Sequence, residues 1–173
     1  MIQIENLAFC YGKNEVLRNI TMELREGRIY GLLGENGVGK TTLLTLLSGL
    51  KRPGQGTIIC DGRVPFDREP AFLSDLFYLP DSCAKTALTA RQYEETYGRF
   101  WKTFDASIYG ELLKIFEIDP GHRMDRMSAG QLKKTCISFA IACHTKYLLM
   151  DEPTNGLDIP SKGQFRKAVT AFT

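Results

Sequence analysis

The chain has 173 residues, is 43% hydrophobic and 24% charged, and carries a net charge of +2, the size of one domain with a substantial core and an ordinary globular composition. So small a charge argues against a surface built to coat nucleic acid. No apolar run reaches the ~20 residues that span a bilayer, and the N-terminus MIQIENLAFCYG carries Glu5 among alternating apolar residues, unlike a secretory leader; any membrane role is expected to come through a partner.

The first elements read as strands. Ile2 and Ile4 alternate with polar residues, as do Ile20, Met22 and Leu24. After Gly27, the run RIYGLL (Arg28 to Leu33) is nearly continuous and apolar, which predicts a strand buried on both faces of a parallel sheet. A glycine-rich turn follows, then a leucine-rich helix, TTLLTLLSGL, closed by Gly49 and Pro53-Gly54. TIICDG is a short strand ending at an Asp-Gly turn.

From about Leu88 to Asp119 the pattern changes. Tyr93, Tyr97, Phe100, Trp101 and Phe104 recur at spacings of three and four, which predicts one helix face. That face either packs within a helical subdomain or also docks another protein. A second helix is expected from Ser128 to about Cys143, then a buried strand in KYLLMDEP, and a helical tail over Pro160–Phe172. The cysteines at positions 10, 60, 83, 136 and 143 are odd in number and form no CxxC pair. They read as buried, reduced thiols suited to the cytosol.

Two motifs carry chemistry. GENGVGKT fits G-x-x-x-x-G-K-[ST] over Gly34, Glu35, Asn36, Gly37, Val38, Gly39, Lys40 and Thr41. Glycines let the backbone wrap closely and aim N–H groups inward, and the helix start adds partial positive charge. Lys40 suits β- and γ-phosphates, the Thr41 hydroxyl suits Mg²⁺, and Thr42 is placed for another phosphate oxygen. Downstream, Asp151 ends a hydrophobic strand, where a carboxylate can hold Mg²⁺ through water. Glu152 is the candidate for orienting or deprotonating the attacking water, since adjacent side chains on a strand end point different ways. Between these motifs lies MSAGQ: Ser128 is a good N-cap, and the helix start behind it offers N–H groups to a further anion.

Taken together, these residues resemble the ATP-binding domain of the ABC ATPases over nearly the whole chain. Met127-Ser128-Ala129-Gly130-Gln131 is similar to that family's signature, which closes over the γ-phosphate held by a second subunit. The resemblance implies that Ser128, Gly130 and Gln131 act in trans, that Tyr11 stacks on adenine, and that Gly34–Thr42 and Lys146–Glu152 are the Walker A and B segments. It also implies that Asp158, in Asn155-Gly156-Leu157-Asp158, links the two sites. Two substitutions stand out: Ala129 replaces the first signature glycine, and Asp81, in YLPDS, stands where a glutamine facing Mg²⁺ or the attacking water is usual.

The implied fold is α/β: a P-loop NTPase core with a mainly parallel sheet, an N-terminal antiparallel portion and a helical subdomain inserted at about residues 82–145 of a single domain spanning 1–173. The family continues to a further strand and a γ-phosphate histidine, so the C-terminal end is expected to be incomplete, with weak or no activity alone. The implied function is the ATP-hydrolysing subunit of an export-type transporter, with ATP and Mg²⁺ as ligands. Its partners would be a second ATP-binding subunit and separate integral membrane subunits, with no direct nucleic acid. The location would be cytoplasmic, on the inner face of the cell membrane. The alternative is a soluble ABC ATPase acting on ribosomes or nucleic acid; the tandem cassettes, basic linkers and long coiled coils usual there are not visible.

Overall fold

The computed structural model describes residues 1–172. The chain divides into two compact units, Met1–Leu76 and the segment from Phe77 onward.

The first unit is built on an antiparallel sheet. β1 (Ile2–Tyr11) pairs with β2 (Asn14–Leu24) through a tight turn at Gly12, which takes a φ of 59°. β3 (Gln55–Cys60) pairs on the other side of β1, giving the order β2-β1-β3. The alternation read from the sequence becomes one buried face: Ile2, Ile4, Leu7, Leu17, Ile58 and Cys60 are all buried. The registers of both pairs shift around Asn6, itself at a φ of 49°. Gly56 faces that bulge at φ +76°, and a Cβ there would lie 2.3 Å from the Glu5 carbonyl oxygen, so no larger residue fits. α1 (Lys40–Leu47) buries Thr42, Leu43, Leu46 and Leu47. It is shorter than the leucine run because Gly49 turns the chain at φ +71°, where a Cβ would come within 2.1 Å of the Pro65 carbonyl oxygen. A short helix, α2 (Pro70–Ser74), closes the unit.

The strand expected over Arg28–Leu33 does not form. Ile29 is 66% and Leu33 92% exposed. A continuous apolar run becomes a buried strand only where neighbouring strands take up its N–H and C=O groups. No such ladder forms on these residues among the described ones.

The second unit holds a two-stranded parallel pair and most of the helices. β4 (Leu76–Leu79) pairs with β5 (Tyr147–Met150), and their C-terminal ends meet where the Asp151 N–H donates to the Leu79 carbonyl at 2.9 Å. Around them lie α3 (Ala90–Tyr97), α4 (Ala106–Ile115), α5 (Ala129–Ala142) and α6 (Ile159–Phe172). α5 is the core helix, with Leu132 and every residue from Thr135 to Ala142 buried.

The aromatic series is not one helix face. α3 stops at Tyr97, a 3-10 turn covers Gly98–Phe100, and the chain folds back. A Cβ on Gly98 would come within 2.9 Å of the Phe104 ring, so the glycine permits this return. Five rings then converge on Phe139 of α5: Tyr93 at 4.9 Å, Phe104 at 5.1 Å, Phe77 at 5.9 Å, Trp101 at 6.0 Å and Tyr109 at 6.0 Å between centroids. The spacing was packing information, but for a cluster and not for a stripe. Burial of the cysteines holds for Cys60, Cys136 and Cys143, but Cys83 is half-buried and Cys10 is exposed at the end of β1.

Candidate functional site

In the first unit, the predicted phosphate loop lies between Gly34 and the start of α1. Lys40 curls back over it, its ammonium donating to the Gly34 carbonyl at 2.8 Å and the Glu35 carbonyl at 3.1 Å. This closes the loop into a ring with the cation on it. The backbone needs its glycines: Gly37 has φ 84° and Gly39 has φ 108°. A Cβ on Gly39 would meet the Leu17 side chain at 2.8 Å and the Val16 carbonyl oxygen at 3.2 Å. Gly39 is also the N-cap of α1, with no side chain bonded across the helix start and no acid in the first turn. The first-turn amides therefore keep their anion-binding capacity. Glu35, Asn36 and Val38 are exposed on the loop, Thr41 is exposed and Thr42 buried.

Tyr11 and Thr42 share a hydrogen bond of 3.4 Å between their hydroxyls. Tyr11 packs edge-on against Phe9 at 5.0 Å, and the Lys51 ammonium lies 4.5 Å from its ring centroid. The Thr42 contact, then Lys51, draws the Tyr11 phenol below its ordinary pKa. Lys51 was not singled out from the sequence; it follows the glycine that ends α1, and only folding brings it over the ring.

In the second unit, Asp151 is 3% exposed. Beside it, Tyr78 has its pKa pushed up to about 12 by burial, then by the Asp151 charge and a hydrogen bond to that carboxylate. Glu152 follows in the left-handed region at φ 43°, uncommon for a glutamate. Its side chain is exposed where that of Asp151 is buried, so the two acids have different surroundings. The Glu152 carbonyl accepts from the Asn155 N–H at 3.0 Å, which fixes the turn.

Ser128 caps α5 as predicted. Its hydroxyl accepts from the Gln131 N–H at 3.2 Å, and the Gln131 side-chain oxygen accepts from the Ser128 N–H at 3.0 Å. Gln131 thus has an intrachain task that the family resemblance alone did not indicate. Ser128, Gly130 and Gln131 line an open cleft of ≈ 520 Å³ with Lys134, Gly156 and Asp158. Lys134 was missed; its position one turn beyond Gly130 was the available signal. Gly130 faces space, its nearest neighbour to an added Cβ being the Gly156 carbonyl oxygen at 3.6 Å. Asp158 caps α6 by accepting from the Ser161 N–H at 2.8 Å, and the Ser161 contact holds its carboxyl below the usual range.

Asp81 is tied on two sides. The Lys133 ammonium, with a side chain only 6% exposed, donates to the Asp81 backbone oxygen at 2.5 Å and to its carboxylate at 3.3 Å. The Asn155 side-chain amide donates to the same carboxylate oxygen at 3.4 Å. The loop after β4, the α5 helix and the turn after Glu152 are thereby joined.

A glycine loop opening a helix under a returning lysine, with a buried acid ending a parallel strand, defines a nucleotide-binding α/β protein. The chain belongs to the ABC transporter family, whose model matches residues 17–155. It is 31% identical over 159 residues to the ABC transporter ATP-binding protein YtrB of Bacillus subtilis, covering 91% of this chain and 54% of that protein. It is 31% identical over 171 residues to the SkfA peptide export ATP-binding protein SkfE of the same organism, covering 94% and 70%. The chain thus spans about half the length of the first relative. The fold matches the ATP-binding subunit of an ABC transporter with a TM-score of 0.84 at 22% identity, over 98% of this chain and 73% of that one. It also matches a dimeric ATP-binding cassette in a post-hydrolysis state with ADP and Pi, with a TM-score of 0.80 at 22% identity, over 98% and 81%. No helix among the described residues is long and apolar enough to cross a membrane.

Proposed function

We propose that this chain is the ATP-binding and ATP-hydrolysing part of an ABC transporter, working as a head-to-tail pair that drives separate membrane subunits. The observation that carries the reading is that each unit holds its own anion-competent helix start. One is the Gly39 end of α1 beneath Lys40, and the other is the Ser128 end of α5 beside Lys134. A single nucleotide triphosphate needs one phosphate loop; a second helix start, lacking that loop, is accounted for by the nucleotide of a second subunit.

In this reading Gly34–Thr42 cradle the phosphates, Lys40 neutralises them and Tyr11 carries the adenine. Ser128, Gly130 and Gln131 reach the partner's γ-phosphate, and Asp158 lies at the junction of the two sites. Thr41 of the first unit offers a hydroxyl oxygen and Asp151 of the second a carboxylate, each a hard donor of the kind that suits Mg²⁺. Held by such oxygens, Mg²⁺ would neutralise developing charge on the phosphates. The second carboxylate oxygen of Asp81 keeps that residue a candidate to face the ion or the attacking water. Glu152 accepts the water's proton.

Relatives named for SkfA peptide export and for lantibiotic transport favour an export role on the inner face of the cell membrane. The alternative, a soluble ABC ATPase acting on ribosomes or nucleic acid, draws no support from a net charge of only +2. Affinity purification of the tagged protein from detergent-solubilised cells tests the choice. Stoichiometric recovery of an integral membrane protein supports the transporter; recovery with ribosomes or nucleic acid and no membrane protein overturns it.

A further inference from the structure

Tyr11 is the last residue of β1, 46% exposed, beside the turn at Gly12. A ring in such a place rotates freely unless something holds it, and its hydroxyl contact to Thr42 is long, at 3.4 Å. Two further contacts fall on the ring itself: Phe9, nearly perpendicular at 5.0 Å, and the Lys51 ammonium 4.5 Å from the ring centroid. Lys51 can hold the ring because its own backbone is fixed. Its N–H donates to the Thr45 carbonyl of α1 at 3.2 Å, as that of Leu50 does at 3.0 Å. Three residues on, the Gly54 N–H donates to the Ala8 carbonyl of β1 at 3.0 Å, and a Cβ on Gly54 would lie 3.1 Å from that oxygen. The segment 51–54 is therefore pinned at one end to the phosphate-loop helix and at the other to the strand that carries Tyr11. Lys51 is half-buried, and its ammonium also lies 5.8 Å from the centre of the Phe9 ring.

Building on the reading of Tyr11 as the residue that carries the adenine, we propose that Lys51 is a positioning residue for the nucleotide base: its ammonium holds the Tyr11 ring in the orientation on which the base stacks. A side chain that is loose before binding must be ordered when the ligand arrives, and that ordering is subtracted from affinity. The cation at the ring does the ordering beforehand. An exposed cation–π contact corresponds to roughly two- to fivefold in an equilibrium constant. Stacking a base on an aromatic ring corresponds to more, roughly fivefold to a hundredfold. Lys51 therefore tunes the base contact and does not replace it. Its chemistry is distinct from that of Lys40, whose ammonium lies on the Gly34 and Glu35 carbonyls of the phosphate loop. Loss of Lys40 weakens any polyphosphate. Lys51 acts through a ring that only a base can use, so its loss weakens only a ligand that carries one.

The test compares ATP with inorganic tripolyphosphate, which has the phosphates and no base. Both are titrated calorimetrically at fixed Mg²⁺ and ionic strength into the 173-residue chain as wild type, Lys51→Met, Lys51→Arg, Tyr11→Leu and the Tyr11→Leu/Lys51→Met double variant. Unfolding midpoints measured alongside show that each variant is folded at the titration temperature. Lys51→Met should weaken ATP roughly two- to fivefold and leave tripolyphosphate unchanged. Lys51→Arg, which keeps a cation, should restore ATP binding. In the Tyr11→Leu background, Lys51→Met should change neither ligand, because no ring is left to hold. The proposal is overturned if Lys51→Met binds ATP as wild type does, if it loses tripolyphosphate to the same extent, or if its ATP loss persists without the Tyr11 ring. The two readings fail separately. ATP affinity unchanged in Tyr11→Leu overturns the role of Tyr11 and the proposal with it, whereas a loss in Tyr11→Leu beside an unaffected Lys51→Met overturns the proposal alone.

Discussion

Asp81 and Lys133 are unequal partners, and their substitutions should be unequal too. The Lys133 side chain is 6% exposed and that of Asp81 45%. Asp81→Asn leaves a charged ammonium buried with the backbone oxygen of residue 81 and a neutral amide as its neighbours. Removing one member of a fully buried pair costs about 3–5 kcal/mol. Because the Asp81 side is nearly half exposed, solvent screens part of that, and roughly 1–3 kcal/mol is expected. Lys133→Met fills a similar volume and removes the buried charge, while the abandoned carboxylate can turn to water. Its cost should stay below about 1.5 kcal/mol, mostly the lost hydrogen bond to the backbone oxygen. The double substitution should be less damaging than Asp81→Asn alone, because no charge is left buried. Urea titration of the four proteins, followed by tryptophan fluorescence, reads this directly: Trp101 is the only tryptophan and packs on Phe139 of the same helix. The reasoning fails if Lys133→Met destabilises as much as Asp81→Asn, or if the double variant is the least stable of the set.

Three further outcomes follow from the same geometry. Ser128→Ala removes the side-chain oxygen that accepts from the Gln131 N–H and should cost about 1 kcal/mol, with Ser128→Gly losing only a few tenths; equal unfolding midpoints for wild type and alanine variant would remove the cap. Under the proposed function, Glu152→Gln should retain nucleotide affinity and lose most phosphate release; a parallel fall in affinity would make Glu152 a ligand and not the base. Tyr78, raised to about 12 from an ordinary 10, should make the fold lose stability as pH climbs from about 10 to 12, because the unfolded chain ionises first. Tyr78→Phe should flatten that alkaline decline in denaturant midpoints, and an unchanged slope would contradict the assignment.

What could be read in the sequence was local. The phosphate loop is legible because its conformation demands glycine where a side chain would strike Leu17 or the backbone of Val16. The α5 start is legible because Ser128 and Gln131 complete their cap within four residues. The alternation of Ile2 and Ile4 specified a half-buried strand whose partners were a turn away or one helix away. Where the outcome depended on distant partners, pattern was not enough. Arg28–Leu33 has the composition of a buried strand, yet composition does not supply the neighbours that make one. The aromatic series fits a helix by spacing, but Gly98 breaks it and Phe139, far along the chain, collects the rings. Asp81 and Lys133 are separated by 52 residues, and nothing in either neighbourhood announces the other. The left-handed conformation of Glu152 was equally hidden, since glutamate has no intrinsic preference for it.

The most direct measurement is the ATP affinity of the chain by titration calorimetry, compared between wild type and Lys40→Ala. Lys40 already lies over the loop, with its ammonium on the Gly34 and Glu35 carbonyls. Its removal should take away a charged contact to the phosphates worth about 1.5–3 kcal/mol, roughly a tenfold to hundredfold loss in affinity. The variant's unfolding midpoint, measured alongside, shows whether the loop still folds. A loss of that size in a folded variant is the result the account predicts; equal affinity for the two proteins would contradict it.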